Sequence, residues 1–369
     1  MKKNSPVLLL IILILSGCGT FENNQHAAQH ANQHVTGIFE LALITDGSSI
    51  DENSFMKGAW EGLERYARER NITRQYYRSS GQSDGAFLAA IDLAVQNGAK
   101  VIVSPGFQFE ASIYIAQERY PHVNFILIDS VPRSPDGSVY KTGNNTVCIL
   151  YAEDQAGFLA GYAAVMDGYR KLGFMGGMAV SSVIRFGYGF IQGAEYAAEQ
   201  LKLAPGSITL NYHYTGDFIA SPQTQALAAS WYGSGTEVIF ACGGALGSSV
   251  MAAAEQAGKK VIGVDVDQSG ESPSVITSAM KGLQASVYSS VATFYAGRFP
   301  GGQAHVFSAA NNGVGLPMET SRFTKFGRTD YNTIFQKLSI GDIPRIEQLD
   351  KTGSPRIIPV SVIRIEASI

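Results

Sequence analysis

The sequence predicts an α/β protein of two doubly wound lobes, each a parallel sheet covered by helices, with a hinged cleft between them. Short apolar runs alternate with longer amphipathic segments, and this alternation breaks off near residue 134 and restarts near residue 171. Residues 38–369 are also more than a single hydrophobic core usually holds. Two similar halves are therefore expected.

The chain begins with features of an export signal. Lys2 and Lys3 precede an unbroken apolar run at 6–15, and the sequence LSGC follows at 15–18. An apolar core of about ten residues is too short for a transmembrane helix. The small residues before Cys18 resemble the lipobox of bacterial lipoproteins. We predict a signal peptide at 1–17 and lipid attachment at Cys18, with an ordinary secretory signal as the alternative.

Residues 18–37 are rich in Asn, Gln, His and Ala and carry few aliphatic side chains. Such a segment cannot bury enough apolar surface to fold, so we predict a flexible tether. His26, His30 and His34 recur every fourth residue and could hold a metal on a helix. We favour a solvated linker because Glu22 is the only carboxylate there. A lipid at Cys18 would hold the protein on the membrane, not through it.

The first lobe has four predicted strands and three predicted helices. The strands lie at 39–45, 75–77, 101–104 and 125–129, and the helices at 56–70, 85–97 and 110–120. Strands separated by helices indicate a parallel sheet with both faces covered. We assign 38–133 and about 280–303 to this lobe.

The second lobe follows a crossover near 134–145 and a helix at 152–167. Its predicted strands lie at 171–176, 207–214, 237–241 and 260–264, and its helices at 184–201, 222–232 and 247–257. We assign 134–279 and about 304–369 to this lobe, with hinge crossovers between the lobes.

Polar and small residues stand where the predicted strands end, which is where ligands bind in such sheets. Asp46, Asp129 and Asp265 each end a strand, and Gly243 and Gly244 follow another. Carboxylates accept hydrogen bonds from hydroxyl or ring N–H groups, and glycines let backbone amides approach a ligand. Alternatively, the aspartates cap the following helices.

Phe55 precedes the first helix, at the end of a loop that carries little periodicity. An aromatic side chain at such a position can stack on a flat ligand. It can equally pack on the first helical turn as a hydrophobic staple.

Several function classes find no support in the sequence. The formal charge of −3 and the lack of a basic block argue against nucleic acid. Phosphate-binding, zinc-protease and serine-hydrolase motifs are absent, and no cysteine pair has metal spacing. Cys148 and Cys242 lie in apolar runs and are expected to be core thiols, and His213 to be solvated. We predict a binding protein without cofactor or metal, not an enzyme.

A series of short segments has counterparts, in order, in one protein family. They are TD at 45–46, IDENSF at 50–55, GAWEG at 58–62, PGF at 105–107, FILID at 125–129, AGFLAG at 156–161, KLGFMGG at 171–177, RFGYGF at 185–190, VIGVDVDQ at 261–268 and TSAMK at 277–281. The chain thereby resembles the basic membrane protein family of lipoproteins, which includes purine nucleoside receptor A-like substrate-binding proteins of ABC transporters. The resemblance implies a fold similar to type I periplasmic binding proteins.

The resemblance also implies roles for residues of the first lobe. Asp46 would accept hydrogen bonds from the nucleobase edge, and Ser54 would add a polar contact. Phe55 would stack on one face of the base, and Asp129 would serve the base or the ribose. Many members have asparagine where this chain has Met56, which would alter the choice of base or of solute.

From the second lobe, the resemblance implies that Asp265 and Lys281 grip the ribose hydroxyls. The backbone around Gly243 and Gly244 would assist them. The aromatic side chain facing the other side of the base would be one of two, Phe186 or Phe218.

The expected function is that of a lipid-anchored receptor on the extracytoplasmic face of the cell membrane. It would bind a nucleoside, as a monomer, and deliver it to an ABC permease. A sugar or other small polar solute is the alternative ligand, and a ligand sensor is the alternative role. A nucleoside hydrolase would need a carboxylate cluster or metal at a spacing that the sequence does not show.

Overall fold

A computed structural model describes Met1 and residues 37–50, 54–343 and 359–367, apart from the side chains of Ser54 and Ala367. The chain divides into two units, Met1–Gly37 and Ile38–Ile369, and the fold set out below is that of the second. The predicted signal peptide after Met1, Cys18 and the predicted tether up to residue 36 lie outside the described residues. No helix among the described residues combines the length and apolarity needed to cross a membrane.

The first sheet consists of parallel strands only. They are β1 (Leu41–Thr45), β2 (Arg74–Arg78), β3 (Val101–Pro105), β4 (Asn124–Ile128), β5 (Thr146–Tyr151) and β11 (Gln303–Phe307). Their order is β11-β5-β4-β3-β1-β2. In β1, Leu41 and Leu43 join one apolar cluster while Ala42 and Ile44 join another. The strand is therefore buried on both faces, as the continuous apolar runs predict.

The second sheet repeats this pattern with one exception. Its strands are β6 (Lys171–Gly176), β7 (Ile208–Tyr214), β8 (Val238–Cys242), β9 (Lys260–Asp265), β10 (Val275–Lys281), β12 (Val314–Gly315) and β13 (Ile363–Ala367). Their order is β12-β10-β9-β8-β6-β7-β13, and only the short β12 runs antiparallel to its neighbour. The predicted fold class, two α/β lobes with parallel sheets, is confirmed.

Helices cover both sheets. They are α1 (Ser54–Arg70), α2 (Asp84–Gln96), α3 (Glu110–Arg119), α4 (Glu153–Asp167), α5 (Ser181–Gln200), α6 (Pro222–Gly233), α7 (Leu246–Ala257), α8 (Leu283–Tyr295) and α9 (Arg328–Ser339). Local signals fix several starts: Ser83 and Ser221 cap α2 and α6 through their side chains, and Pro222 occupies the first turn of α6. The predicted helices agree with these bounds to within a few residues.

The chain crosses between the sheets as many times within the described residues as the predicted lobe bounds imply, but not at the same places. Within the described residues it does so between β5 and α4, between β10 and α8, and between β11 and β12. This corrects the predicted lobe boundaries, because 146–151 form β5 of the first sheet and β11 extends the first lobe to 307. The segment 134–145 is no crossover: Ser134 N donates to Val139 O and Lys141 N to Pro132 O, which turns the chain back towards the first sheet.

Helices α4 and α5 approach each other at a closely packed glycine interface. Each helix contributes two glycines spaced four residues apart, and a Cβ on any of them would overlap a backbone carbonyl oxygen of the other helix. The pairs are Gly157 with Phe186, Gly161 with Phe190, Gly189 with Asp154, and Gly193 with Phe158. Glycine is required here for close approach, and the relative position of the two helices is tightly constrained.

Candidate ligand-binding site

A cavity lies at the carboxyl ends of strands from both sheets. The space within it is about 610 Å³ when the solvent at its open mouth is included. Nine predicted site residues line it: Asp46, Phe55, Asp129, Phe186, Phe218, Gly243, Gly244, Asp265 and Lys281. The tenth, Ser54, begins α1 beside Phe55, and the contacts predicted for its side chain lie outside the described residues.

Two of the cavity aspartates occupy equivalent positions in the two lobes. Asp129 directly follows β4 and Asp265 ends β9, and their φ angles are 66° and 67°. This left-handed conformation costs most residues about 1–2 kcal/mol, although Asp tolerates it better than most. Oδ1 of each is buried and accepts no hydrogen bond in the described structure, so neither Oδ1 caps a helix. Asp129 Oδ1 thus remains an acceptor for a ligand, whereas Asp265 Oδ1 lies 3.5 Å from the Lys281 ammonium.

Asp46 directly follows β1 and orders the loop after that strand. Its Oδ1 accepts hydrogen bonds from the backbone N–H of Ser48 at 3.1 Å and from the Ser48 hydroxyl at 2.5 Å. These contacts order the following loop as an Asx turn. The residue still lines the cavity.

Lys281 is the centre of the charge distribution. Its ammonium Nζ lies 2.5 Å from Asp129 Oδ2, 3.4 Å from Glu153 Oε1 and 3.5 Å from Asp265 Oδ1. The Lys281 side chain is only 2% exposed. Asp129 belongs to the first lobe, whereas Lys281 and Asp265 lie in the second sheet. The ion pair between Lys281 and Asp129 therefore spans the cleft.

Burial sets the ionisation of this cluster. Burial raises the pKa of Asp129 to about 7, although the nearby Lys281 ammonium opposes the rise. Burial likewise raises the pKa of Asp265. For Lys281, burial disfavours the charged form, but the three surrounding carboxylates outweigh it and raise the pKa of the ammonium. Lys281 therefore stays charged, and the ionisation of Asp129 and Asp265 can change when a ligand binds.

Three phenylalanines form the apolar walls. Phe55 comes from α1 of the first lobe, and Phe186 and Phe218 come from the second lobe, so the cavity includes both aromatic side chains between which the sequence could not choose. Nζ of Lys281 lies 5.1 Å from the ring centre of Phe55 and 5.3 Å from that of Phe186. These contacts stabilise the ammonium and hold both rings at the charged end of the cavity.

The two predicted glycines shape the wall next to Phe218. A Cβ on Gly243 would lie 3.0 Å from Phe218 Cδ1 and 3.1 Å from the backbone nitrogen of Gly177. Gly244 has a φ of 49°. A side chain at either position would push the Phe218 ring or strain the loop, so glycine preserves this wall.

Sequence reasoning missed a buried ion pair behind the cavity. Glu153 begins α4 and is fully buried, and its Oε2 accepts a hydrogen bond of 2.6 Å from Arg185 Nε. Arg185 stood within a family-like motif, and Glu153 follows immediately after a buried strand. Those were the available signals. They gave no indication that the two side chains meet beside Lys281.

Met56 is 1% exposed, packs in the core of the first lobe and lines the cavity. It therefore presents an apolar surface next to the Phe55 wall. Within the described ranges, no group of three or more histidine, cysteine, aspartate or glutamate residues is arranged to hold a metal ion. Cys148 and Cys242 are buried free thiols.

Sequence comparison relates the chain to a known protein family. A family described as "ABC transporter substrate-binding protein PnrA-like" matches residues 39–348. The nucleoside-binding protein BmpA of an ABC transporter from Lactococcus lactis is 27% identical over 86% of this chain and 91% of its own length. Basic membrane protein D of Borreliella burgdorferi is 26% identical over 90% of each chain.

A solved structure shares the fold. The ABC transporter solute-binding protein from Aeropyrum pernix superimposes with a TM-score of 0.71 at 21% identity, covering 85% of this chain and 95% of that one. The two lobes are thus those of a type I periplasmic binding protein.

Proposed function

This chain belongs to the family of PnrA-like ABC transporter substrate-binding proteins, and from that premise we propose that its solute is a purine nucleoside. Members of the family bind a small molecule outside the cytoplasm and present it to a permease, without catalysing a reaction. A nucleoside-binding relative at 27% identity supports the choice of solute class.

One observation carries the proposal: aromatic walls from both lobes enclose a cavity whose charged end has unused acceptors. A flat base between Phe55 and an aromatic side chain of the second lobe would gain stacking contacts on both faces. Oδ1 of Asp129, which has no hydrogen-bond partner in the described structure, and Oδ1 of Asp265, which lies 3.5 Å from the Lys281 ammonium, suit the donor hydroxyls of a ribose diol. The Lys281 ammonium suits the acceptor lone pairs of the same hydroxyls.

Asp46 is assigned to the edge of the base, since it lines the same cavity as Phe55 and comes from the same lobe. Met56 replaces an amide donor and acceptor with a thioether. We propose that this relaxes discrimination between purines, because one polar contact to the base edge is lost.

Mass spectrometry of small molecules released by denaturing the purified protein tests the proposal. A purine nucleoside in the released fraction would support it. Calorimetric titration of the emptied protein with adenosine, guanosine, inosine, uridine and ribose then ranks the solutes. Tight binding of ribose or another polyol, with no binding of any nucleoside, would refute the nucleoside proposal. The same carboxylates would then serve a sugar.

Replacing Phe55 with alanine separates these two solute classes. A stacked base is expected to lose about 1–3 kcal/mol of binding free energy, because base stacking on an aromatic side chain is worth that much. Calorimetry measures the loss, with Phe299→Ala as the control: that ring packs against Phe294, and Phe299 is not among the cavity residues. An unchanged affinity in Phe55→Ala would contradict stacking at this position.

Solute affinity is expected to fall as the pH drops below about 7. The Asp129 carboxyl has a pKa of about 7 in the empty protein, and a hydroxyl that donates to it favours the ionised form. Binding therefore lowers this pKa and releases a proton, so that protons compete with the solute by up to about tenfold per pH unit. Calorimetry in buffers with different ionisation enthalpies measures the released proton. Asp129→Asn should abolish this dependence.

The raised pKa of Asp129 also makes the stability of the empty protein depend on pH. Between the ordinary value of 3.8 and about 7, the folded chain retains a proton that the unfolded chain has lost. The free energy of unfolding is therefore expected to fall as the pH rises through this window. Urea titrations across the window measure the slope, which should be more negative in wild type than in Asp129→Asn; a wild-type slope equal to or less negative than that of the variant would contradict the assignment.

We further propose that lipid on Cys18 holds the receptor at the extracytoplasmic face of the membrane, as a monomer beside its permease. The basic and apolar residues before LSGC and the kinship with basic membrane proteins support the anchor. A mature protein whose mass lacks acyl chains would contradict it.

A further inference from the structure

Glu153 stands between two cations without lining the cavity. Its Oε2 accepts from Arg185 Nε at 2.6 Å, and its Oε1 lies 3.4 Å from Nζ of Lys281. The Glu153 side chain is fully buried, and Oε1 has no hydrogen-bond partner within the described structure. A carboxylate buried in this way is stabilised chiefly by the two cations on either side of it.

The fold holds this pair rigidly. Glu153 is the first residue of α4, directly after the chain crosses from the first sheet, and Arg185 lies in the second turn of α5. The glycine interface fixes the separation of these two helices, with Gly157 against the carbonyl oxygen of Phe186 next to Arg185. Neither partner can move far without separating α4 from α5. The Glu153 carboxylate is thus a fixed point beside the crossover.

Lys281 has one carboxylate partner on the opposite lobe and two on its own side. Asp265 belongs to the second sheet with Lys281, and Glu153 lies on a helix packed against β10 of that sheet. Asp129 belongs to the first lobe. When the lobes separate, Lys281 loses Asp129 but keeps the other two partners. Without Glu153, the ammonium would have fewer contacts on its own side and could move with Asp129 or turn out of the cleft.

We propose that Glu153, held by Arg185, is a positioning residue that fixes the Lys281 ammonium where the two lobes meet the solute. The inference rests on the proposed function, because Lys281 is assigned there to the ribose. Glu153 acts through Lys281 and touches no solute. Its role is to keep the cleft lysine in place through opening and closing.

The groups that face this cluster come from every element packed around it. They are Asp129 after β4, Tyr151 of β5, Glu153 and Asp154 of α4, Arg185 of α5, Cys242 of β8, Asp265 of β9 and Lys281 of β10. Arg185 retains its charge, because the attraction of Glu153 and its neighbours outweighs burial and raises the pKa of the guanidinium. Glu153 is among the carboxylates that raise the pKa of Asp129.

The test compares Glu153→Gln with the wild-type protein. The amide keeps the size of the side chain and an oxygen that can accept from Arg185, but it removes the charge beside Lys281. Measured by calorimetry with purine nucleosides well above pH 7, affinity is expected to fall about tenfold, because the Lys281 ammonium loses one close charge partner. Carboxyl-carbon NMR of the solute-free protein should show Asp129 titrating at lower pH than in wild type.

Glu195→Gln is the matched control. Glu195 is also a buried carboxylate, on α5, but it accepts hydrogen bonds from the backbone of Ser361, Val362 and Ile363. Its replacement is expected to lower the melting temperature while nucleoside affinity and the Asp129 titration remain as in wild type. Glu153→Gln behaving in the same way would overturn the proposal, because that is the behaviour of a merely structural carboxylate.

Two further outcomes are separable. If wild type binds no nucleoside, the proposed function fails, while the NMR titration still decides whether Glu153 acts on the cleft charges. If Glu153→Gln does not fold, Glu153→Asp keeps the charge but withdraws it from Lys281 by one methylene. Weaker nucleoside binding by a folded Glu153→Asp would support the positioning role, and wild-type affinity would overturn it.

Discussion

Replacing Lys281 with methionine is expected to abolish solute binding and to lower the free energy of unfolding by about 3–5 kcal/mol. The substitution removes the cation from among Asp129, Glu153 and Asp265 and leaves their buried carboxylates without it. Methionine nearly preserves the volume of the side chain, so the loss reports charge more than packing. Urea unfolding measures the stability, and calorimetry measures the binding.

The pH dependence of this variant adds a check. Without the ammonium, the pKa values of Asp129 and Asp265 rise further, since Lys281 lowers both. The folded state then gains protons relative to the unfolded chain, and the destabilisation should be smaller in acid than at neutral pH.

Lys141→Met is the control for removing a lysine, because Lys141 pairs with Glu118 where both side chains are 56% exposed. An exposed pair contributes little, so that variant should unfold like wild type. If the Lys281→Met protein is as stable as the Lys141→Met control, the Lys281 ammonium does not stabilise the folded protein through its carboxylate partners.

Gly193→Ala is expected to lower the free energy of unfolding by about 3 kcal/mol, which is the upper end of the range for substitutions that overpack a core. The added methyl group would overlap the carbonyl oxygen of Phe158 in α4, which belongs to a helix backbone and cannot rotate away. The higher helix propensity of alanine, worth about 1 kcal/mol, offsets only part of this cost. Urea unfolding measures the change.

The same variant should also weaken solute binding, because displacing α5 moves Phe186 at the cavity wall. Gly233→Ala serves as its control: this glycine ends α6, and a Cβ there meets nothing within 4 Å. The control should be neutral or slightly stabilised. If Gly193→Ala is as stable as the wild-type protein, the close approach of α4 and α5 is not a constraint on the fold.

The sequence was most informative about positions at strand ends. In a parallel sheet all strands point the same way, so Asp46 and Asp129 had to arrive at one edge of the first sheet, and Asp265 at the corresponding edge of the second. That these two edges face one cleft was expected from the two-lobed fold. Phe186 and Phe218 could not be separated because the direction of a ring depends on helix packing, and both proved to line the cavity.

Contacts between distant segments escaped prediction for a physical reason. Glu153 and Arg185 meet only because four glycines bring their helices together, and each glycine alone is an ordinary residue in the sequence. The placement of β5 was missed because a six-residue apolar run followed directly by a helix gives no sign of the sheet it joins. The late strands β11 and β13 pair with partners far back in the chain.

Strands β11 and β13 determine when the two sheets can be completed. The first sheet receives its edge strand from 303–307 and the second from 363–367, so no contiguous half of the chain holds either sheet in full. A nascent chain emerging from its amino end leaves the backbone groups of β5 and β7 exposed until its final segments are available. Pairings over such separations form slowly. Neither sheet can therefore be completed before its late strand is available, and we expect the last step of folding to be the addition of these edge strands.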